Sequence, residues 1–315
     1  MTEKERIFSY KAGIAVLTLI AIVIMVGFSG APKVPAPIVV IDTDSPIVAE
    51  SFPPIEVEAK AVYVYDMADG KVLYDKNGEL QLPLASITKV MSAYAASTLL
   101  PEYILVRISL SDIREEGDSG LRVDEEWNVQ RLTDFSLITS SNDGITAIAS
   151  TAGAQIVGGD GKNPERLFVE RMNTLAREIG LTQTYYLNQS GLDVSKSLSG
   201  GYGSARDMVL LFQKILLEKP RLLEATTQIR MNVPSKEFIH DAENTNKSLS
   251  GIPYVLASKT GYTDLSGGNL IVAFDAGVGH PIIISVLGSS YDGRFSDMDK
   301  LVNATLQYLS DKIPQ

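Results

Sequence analysis

Between Ala61 and Asn77 the stretch AVYVYDMADGKVLYDKN alternates apolar and polar positions on either side of an Asp-Gly pair, which predicts a β-hairpin. After it the period lengthens. LPLASITKVMSAYAAS (82–97) reads as a helix opened by Ser86, with Lys89 one turn later and an otherwise apolar or small run behind it. In NPERLFVERMNTLAREIG (163–180), Asn163 is placed to cap and Pro164 takes the first helical position. Leu167, Phe168, Met172, Leu175 and Ile179 form one stripe there, and Gly180 ends it. SARDMVLLFQKILLEKP predicts a further helix from Ser204 to the stop at Pro220. YVLASKTGY, GNLIVAFDAG and HPIIISVLG then read as three strands joined by short turns. An amphipathic helix from Ser296 to about Ile313 closes the chain. Strands at both ends with helices between them predict one α/β (α+β) domain, its sheet pairing the N-terminal hairpin with the C-terminal strands.

The N-terminus follows a different pattern. AGIAVLTLIAIVIMVGFSGAP, residues 12–32, is a run of 21 uncharged residues, about 32 Å as a helix and so matched to a bilayer core. Lys4, Arg6 and Lys11 precede it, while Asp42, Asp44 and Glu50 lie beyond it, which orients the N-terminus to the cytoplasm. A cleaved signal peptide is the rival reading, although Pro32 directly after Ala31 is a poor cleavage point. The expected organisation is a cytoplasmic stub (1–11), a transmembrane anchor (12–32), a Pro-rich extended linker (33–57) and an extracytoplasmic domain (58–315). Six of the fourteen prolines fall in and beside that linker, at 32, 35, 37, 46, 53 and 54, which makes it semi-rigid.

Composition narrows the chemistry. The net charge is −10, and nucleic-acid binders present basic surfaces, so a phosphate-backbone partner is not expected. Cysteine is absent and there are two histidines, His240 and His280. That removes a disulfide framework and the usual ligands of a structural zinc, so neither is expected. Both histidines read as surface or strand-end residues. A nucleophilic enzyme built on this sequence needs a base other than histidine.

Three short patterns supply candidates: Ser86-Ile-Thr-Lys89, Ser140-Ser141-Asn142, and Lys259-Thr260-Gly261 at a predicted strand end. A serine hydroxyl is a weak nucleophile until a neighbour takes its proton. Positions i and i+3 of a helix share a face, so Lys89 can reach Ser86. To serve as base the lysine must be neutral, which asks its pKa to fall by about three pH units, roughly 4 kcal/mol. Burial supplies part of this and a second cation, Lys259, supplies more. Taken alone, SITK reads as a capping serine and a snorkelling lysine, and each pattern by itself is weak. Their order and combination form the signature shared by penicillin-binding proteins and class A β-lactamases.

From about residue 60 to 305 the chain resembles the serine D-Ala-D-Ala carboxypeptidases, the low-molecular-mass penicillin-binding proteins. The stretches that carry the resemblance are PLASITKVM, GDSGLRV, LITSSNDGITAIA, FVERMNTLAREIGLTQTYYLNQSGLD, GYGSARDM, NTN and ASKTGYTDLSGGNLIVA. It implies a β-lactamase/transpeptidase-like fold, a mostly antiparallel sheet flanked by helices. It also implies Ser86 as the acylated nucleophile, Lys89 as its base and Ser140 as a proton relay to the leaving D-alanine. Asn142 would hold the substrate's peptide carbonyl, Lys259 and Thr260 its terminal carboxylate, and Gly261 would admit its backbone. The N–H groups of Ser86 and Tyr262 would form the oxyanion hole, and Arg294 would stand near the carboxylate pocket, with a solvated turn arginine as the alternative. The implied partners are peptidoglycan stem peptides ending in D-Ala-D-Ala, and β-lactams as covalent inhibitors.

The match has departures. Class A β-lactamases carry a deacylating glutamate three residues before a Leu-Asn pair. Here that pair is Leu187-Asn188 and the position holds Thr184, so fast β-lactam turnover is not expected. Gln189-Ser190 stands where the family frequently has proline. The chain stops 21 residues after Arg294, so the C-terminal β-domain and membrane helix of many members are not expected. The rival readings are a DD-endopeptidase or transpeptidase working through the same acyl-enzyme, and a catalytically inactive wall-binding scaffold.

Overall fold

The structure, a computed structural model, describes residues 52–156 and 163–312. The expected anchor, the stub and the linker up to residue 51 lie outside the described residues. Among those described, no helix is long and apolar enough to cross a membrane. The last part of the expected linker lies against the domain: Phe52 packs on Tyr74 and Tyr308, and Ile55 and Val57 join the same core.

In chain order the strands are β1 (Ala61–Asp66), β2 (Lys71–Lys76), β3 (Leu82–Pro83), β4 (Leu105–Arg107), β5 (Glu126–Asn128), β6 (Tyr185–Tyr186), β7 (Gly201–Gly203), β8 (Arg230–Pro234), β9 (Ile239–Glu243), β10 (Val255–Thr263), β11 (Gly267–Asp275) and β12 (Pro281–Ser289). The helices are α1 (Thr88–Leu99), α2 (Val129–Thr139), α3 (Asn142–Gly153), α4 (Pro164–Ile179), α5 (Ala205–Glu218), α6 (Arg221–Glu224) and α7 (Gly293–Asp311).

Five strands form an antiparallel sheet in the order β10-β11-β12-β1-β2. The predicted hairpin does pair with the C-terminal strands. Every residue of β1 is buried, because helices cover both faces of the sheet. On one face Val62, Val64, Val272, Ile284 and Val286 pack with Met298, Leu301 and Val302 of α7. α5 lies against the other, reached by alternate residues of the same strands. β10 is an edge strand, and the helices α1–α4 stand beyond that edge as a second layer.

Helix starts follow local chemistry. Asn163 accepts from Arg166 N ahead of α4, which Gly180 ends at φ +85°. Ser204 accepts from Asp207 N ahead of α5. The closing helix begins three residues earlier than the sequence pattern predicts, at Gly293 and not Ser296. Arg294 therefore belongs to the first turn of α7.

Candidate active site

The chain reaches Ser86 through an unusual turn. β3 ends at Pro83, and the 3₁₀ turn Ala85–Ile87, closed by Ile87 N donating to Leu84 O at 3.2 Å, leads into α1. Ser86 thus sits two residues ahead of the α-helix that the pattern predicts it to open, and the i, i+3 relation to Lys89 survives the change. Ala85 holds φ +47°, the left-handed region that residues with a Cβ rarely occupy.

Lys89 has no exposed surface. Its Nζ lies 2.6 Å from Ser86 Oγ and donates to Ser190 O at 2.9 Å. Burial first, and then the charge of Lys259, hold its pKa well below the ordinary lysine value, against a smaller opposing pull from Glu115. At that distance a neutral amine can take the serine proton.

Lys259 enters from β10, also buried, and donates to Ser140 Oγ and to Thr260 O, both at 2.9 Å. Burial, with Arg294 adding repulsion, lowers its pKa to about 7. Ser140 caps the end of α2 at φ +63°, which turns the chain sharply between α2 and α3. Asn142 opens α3 and spends one amide hydrogen on Glu116 O. Its Oδ1 is buried with no partner among the described residues. Thr260 Oγ1 lies 2.5 Å from Thr245 Oγ1.

Gly261 is where β10 and the Ser86 turn meet. A Cβ there would stand 2.7 Å from Leu84 O and 3.2 Å from Ser86 N, so only glycine lets the strand come this close. Tyr262 stands half-exposed beside it, edge-on to Tyr291 at 4.9 Å between ring centres. Arg294 is buried. It donates to Gly261 O at 2.8 Å, its guanidinium lying over Tyr291 and Phe295, and burial lowers its pKa. Of the two readings of Arg294, the solvated turn arginine is set aside.

Ser86, Lys89, Lys259 and Ser140 therefore converge from the turn ahead of α1, α1 itself, β10 and the α2–α3 corner at the sheet edge. A family model for D-alanyl-D-alanine carboxypeptidases, peptidase family S11, matches residues 47–290. The chain belongs to that family. It is similar to the D-alanyl-D-alanine carboxypeptidase DacF of Bacillus subtilis, 32% identical over 218 residues that cover 65% of this chain and 51% of the relative. It is also similar to DacC of Escherichia coli, 27% identical over 82% of this chain and 64% of that one. The chain thus spans about half to two thirds of the length of these curated relatives. Among solved structures it resembles penicillin-binding protein D2 of Listeria monocytogenes in its ampicillin-bound form. That likeness has TM-score 0.65 and 27% identity, covering 80% of this chain and 99% of that one.

The fold brings in family-site neighbours that the sequence patterns leave unmarked. Ser190, noted in the sequence only because it departs from proline, supplies a backbone carbonyl to Lys89. Its loop is pinned in place by Gln189, whose Nε2 donates to Thr146 Oγ1 and whose carbonyl accepts from Ser92 Oγ. Thr245, whose hydroxyl meets that of Thr260, is tied through its N to Ile138 O at the end of α2. The two histidines serve elsewhere. His240 bonds the buried Glu125, and His280 bonds Asp66 at a strand end. Among the described residues, no group of three or more acidic or histidine side chains is arranged to hold a metal.

Proposed function

We propose that the chain is a membrane-anchored serine D-alanyl-D-alanine carboxypeptidase that removes the terminal D-alanine from peptidoglycan stem peptides outside the cytoplasmic membrane. The observation that carries this reading is the 2.6 Å contact between a wholly buried Lys89 Nζ and Ser86 Oγ, with Lys259 and Ser140 paired in the same cleft.

In this reading the peptide lies along β10, the edge strand of the sheet, where that strand faces the Ser86 turn. Its terminal carboxylate meets Lys259 and Thr260, and Asn142 holds its amide carbonyl with the remaining amide hydrogen. Lys89 takes the Ser86 proton while Oγ bonds to the carbonyl carbon. The N–H groups of Ser86 and Tyr262 stabilise the oxyanion. As the C–N bond breaks, Ser140 Oγ, which accepts a hydrogen bond from Lys259, gives its hydrogen to the leaving D-alanine amine and takes in its place the proton that Lys89 had removed from Ser86, so that Lys89 is neutral again. Water then attacks the Ser86 ester with Lys89 again as base, and serine and the shortened peptide are released.

Because Lys259 has a pKa near 7 in the empty cleft, a bound carboxylate would raise it and recruit the cation that binds it. The residues 12–32 would hold the domain at the membrane and the Pro-rich segment would set its reach. Fluorescent penicillin should label the purified chain and fail to label Ser86→Ala. Release of free D-alanine from a pentapeptide, against cleavage of a cross-linked dimer, separates the carboxypeptidase from an endopeptidase. Retention in the membrane fraction, lost on deleting residues 12–32, tests the anchor.

A further inference from the structure

The geometry points to Asn269 as a positioning residue for acylation: its side chain clamps the Pro83 and Leu84 carbonyls and so holds the turn that presents Ser86. The inference rests on the reading of Ser86 as nucleophile.

Asn269 lies in β11, 185 residues from the turn it touches, and has no exposed surface. Its Nδ2 donates to Pro83 O at 3.0 Å and Leu84 O at 3.1 Å, and its Oδ1 accepts from Gly288 N at 2.8 Å. Both amide hydrogens are spent on consecutive carbonyls, a pattern only a planar NH2 of this length supplies. The backbone makes room for it. The β11–β12 register slips between Gly268 and Leu270, and Gly288 opposite adopts φ +69°, so the side-chain oxygen takes the place of a ladder acceptor for Gly288 N.

At the far end of the clamp, Leu84 O also accepts from Ile87 N, and the next residue is the left-handed Ala85. A strained φ persists only where the surroundings fix it. With Leu84 O free to turn, Ala85 would relax toward negative φ and the 3₁₀ turn would shift. Ser86 N and Oγ would then move relative to Gly261 and Lys89, whose positions are set by the sheet and by α1. Asn269 thus ties the nucleophile turn to the same sheet that carries Lys259 and Thr260, so both halves of the cleft share one reference frame.

Asn269→Asp keeps the acceptor for Gly288 N and loses both donors, and Asn269→Ala loses all three bonds. Each is compared with the intact chain by stopped-flow penicillin acylation, by the preceding non-covalent Kd and by melting temperature. The expected result is a fall of about 100-fold in the acylation rate constant, the scale of losing one oxyanion donor, with Kd nearly unchanged. Ala85→Gly in the Asn269→Ala background relieves the left-handed strain and should recover part of the loss. A melting temperature that drops while acylation per folded molecule stays at the intact level would overturn the proposal. So would a loss carried entirely by Kd, or a double variant no faster than Asn269→Ala. Failure of the intact chain to be acylated would overturn the reading of Ser86 as well, whereas normal acylation of both Asn269 variants sinks this inference alone.

Discussion

Lys259 lowers the pKa of Lys89 through space, although the two lysines come from opposite sides of the cleft, one from a strand and the other from a helix. Two buried amines so placed cannot both carry a proton cheaply. In the proposed reaction, Lys89, held low by burial first and by Lys259 second, serves as the base, while Lys259 stays to bind an anion. Arg294 behind Lys259 extends the series, depressing Lys259 in turn.

That division of labour is tested by Lys89→Arg. A guanidinium keeps the positive charge and cannot be deprotonated, so hydrogen bonding to Ser86 and Ser190 could persist while the base is lost. Acylation by penicillin should fall by about 10³-fold, within the range for removing a general base, and raising the pH should not restore it. Substantial acylation by this variant, measured by adduct formation over time, would remove Lys89 from the role of base.

The same pair predicts a bell-shaped pH profile. Lys89 must be neutral, so kcat/KM falls on the acid side as its depressed pKa is crossed. Lys259 must be charged to hold a carboxylate. Its pKa of about 7 in the empty cleft makes kcat/KM fall again as pH rises above about 7. The alkaline limb belongs to the free enzyme, because a bound carboxylate raises Lys259, so it should appear in KM and be much weaker in kcat. Peptide hydrolysis followed from pH 5 to 10 checks this, and an alkaline limb residing in kcat would contradict it.

The parts of this site that were legible in the sequence are those joined by short spacing or by a strand pattern. Ser86 and Lys89 are three residues apart, so a helical turn suffices to join them. Lys259, Thr260 and Gly261 sit in a run whose strand character is plain. For Arg294 the sequence leaves two readings, a pocket arginine and a solvated turn arginine, and only the fold shows it buried against Tyr291 and Phe295 in the first turn of α7. Ser190, Thr245 and Asn269 lie in stretches that carry the resemblance, but what they touch could not be read, since each acts on a residue 15 to 186 positions away through a loop or strand register. Asn142 is marked in the sequence only by the Ser140-Ser141-Asn142 pattern; the two helices that meet there (α2 and α3) and its bond to Glu116 O, in a loop with no regular pattern, are visible only in the fold.

His240 offers a stability test that leaves the chemistry alone. It bonds Glu125 Oε1 at 2.5 Å and packs on Trp127, while the other oxygen of Glu125 accepts from Arg122 N. Glu125 is almost fully buried, so His240→Ala strands a carboxylate oxygen away from water. Unfolding in urea should show a loss of about 3 kcal/mol, the scale for leaving one buried partner unpaired. Penicillin acylation per folded molecule should be unchanged, and a loss of acylation would place the histidine in the chemistry after all.

Gly261→Ala probes the contact between the two layers. The added Cβ would meet Leu84 O at 2.7 Å and Ser86 N at 3.2 Å, and both are backbone atoms that cannot swing aside. Either β10 moves off the turn or the turn moves off β10. Overpacking of this kind costs about 2 kcal/mol, and acylation should fall with it because Ser86 N shifts. A variant as stable and as reactive as the parent would mean that the layers are not in register contact at this point.

The last expectation concerns release of a β-lactam. In the sequence, Thr184 occupies the position that the comparison with class A β-lactamases gives to a deacylating glutamate. In the fold its hydroxyl donates to Asp207 at 2.7 Å, and that carboxyl also accepts from Gln183 N. Asp207 is fully buried at the start of α5, with its pKa raised chiefly by burial. Thr184 is thus spent on holding the 183–184 loop against α5, and its hydroxyl is no substitute for a carboxylate base that would activate water at an ester on Ser86. The penicilloyl adduct should therefore persist, visible by intact-mass measurement as a species that outlasts removal of free penicillin. Rapid, sustained hydrolysis of a chromogenic cephalosporin would show that another group supplies the base, and would shift the assignment toward a β-lactamase.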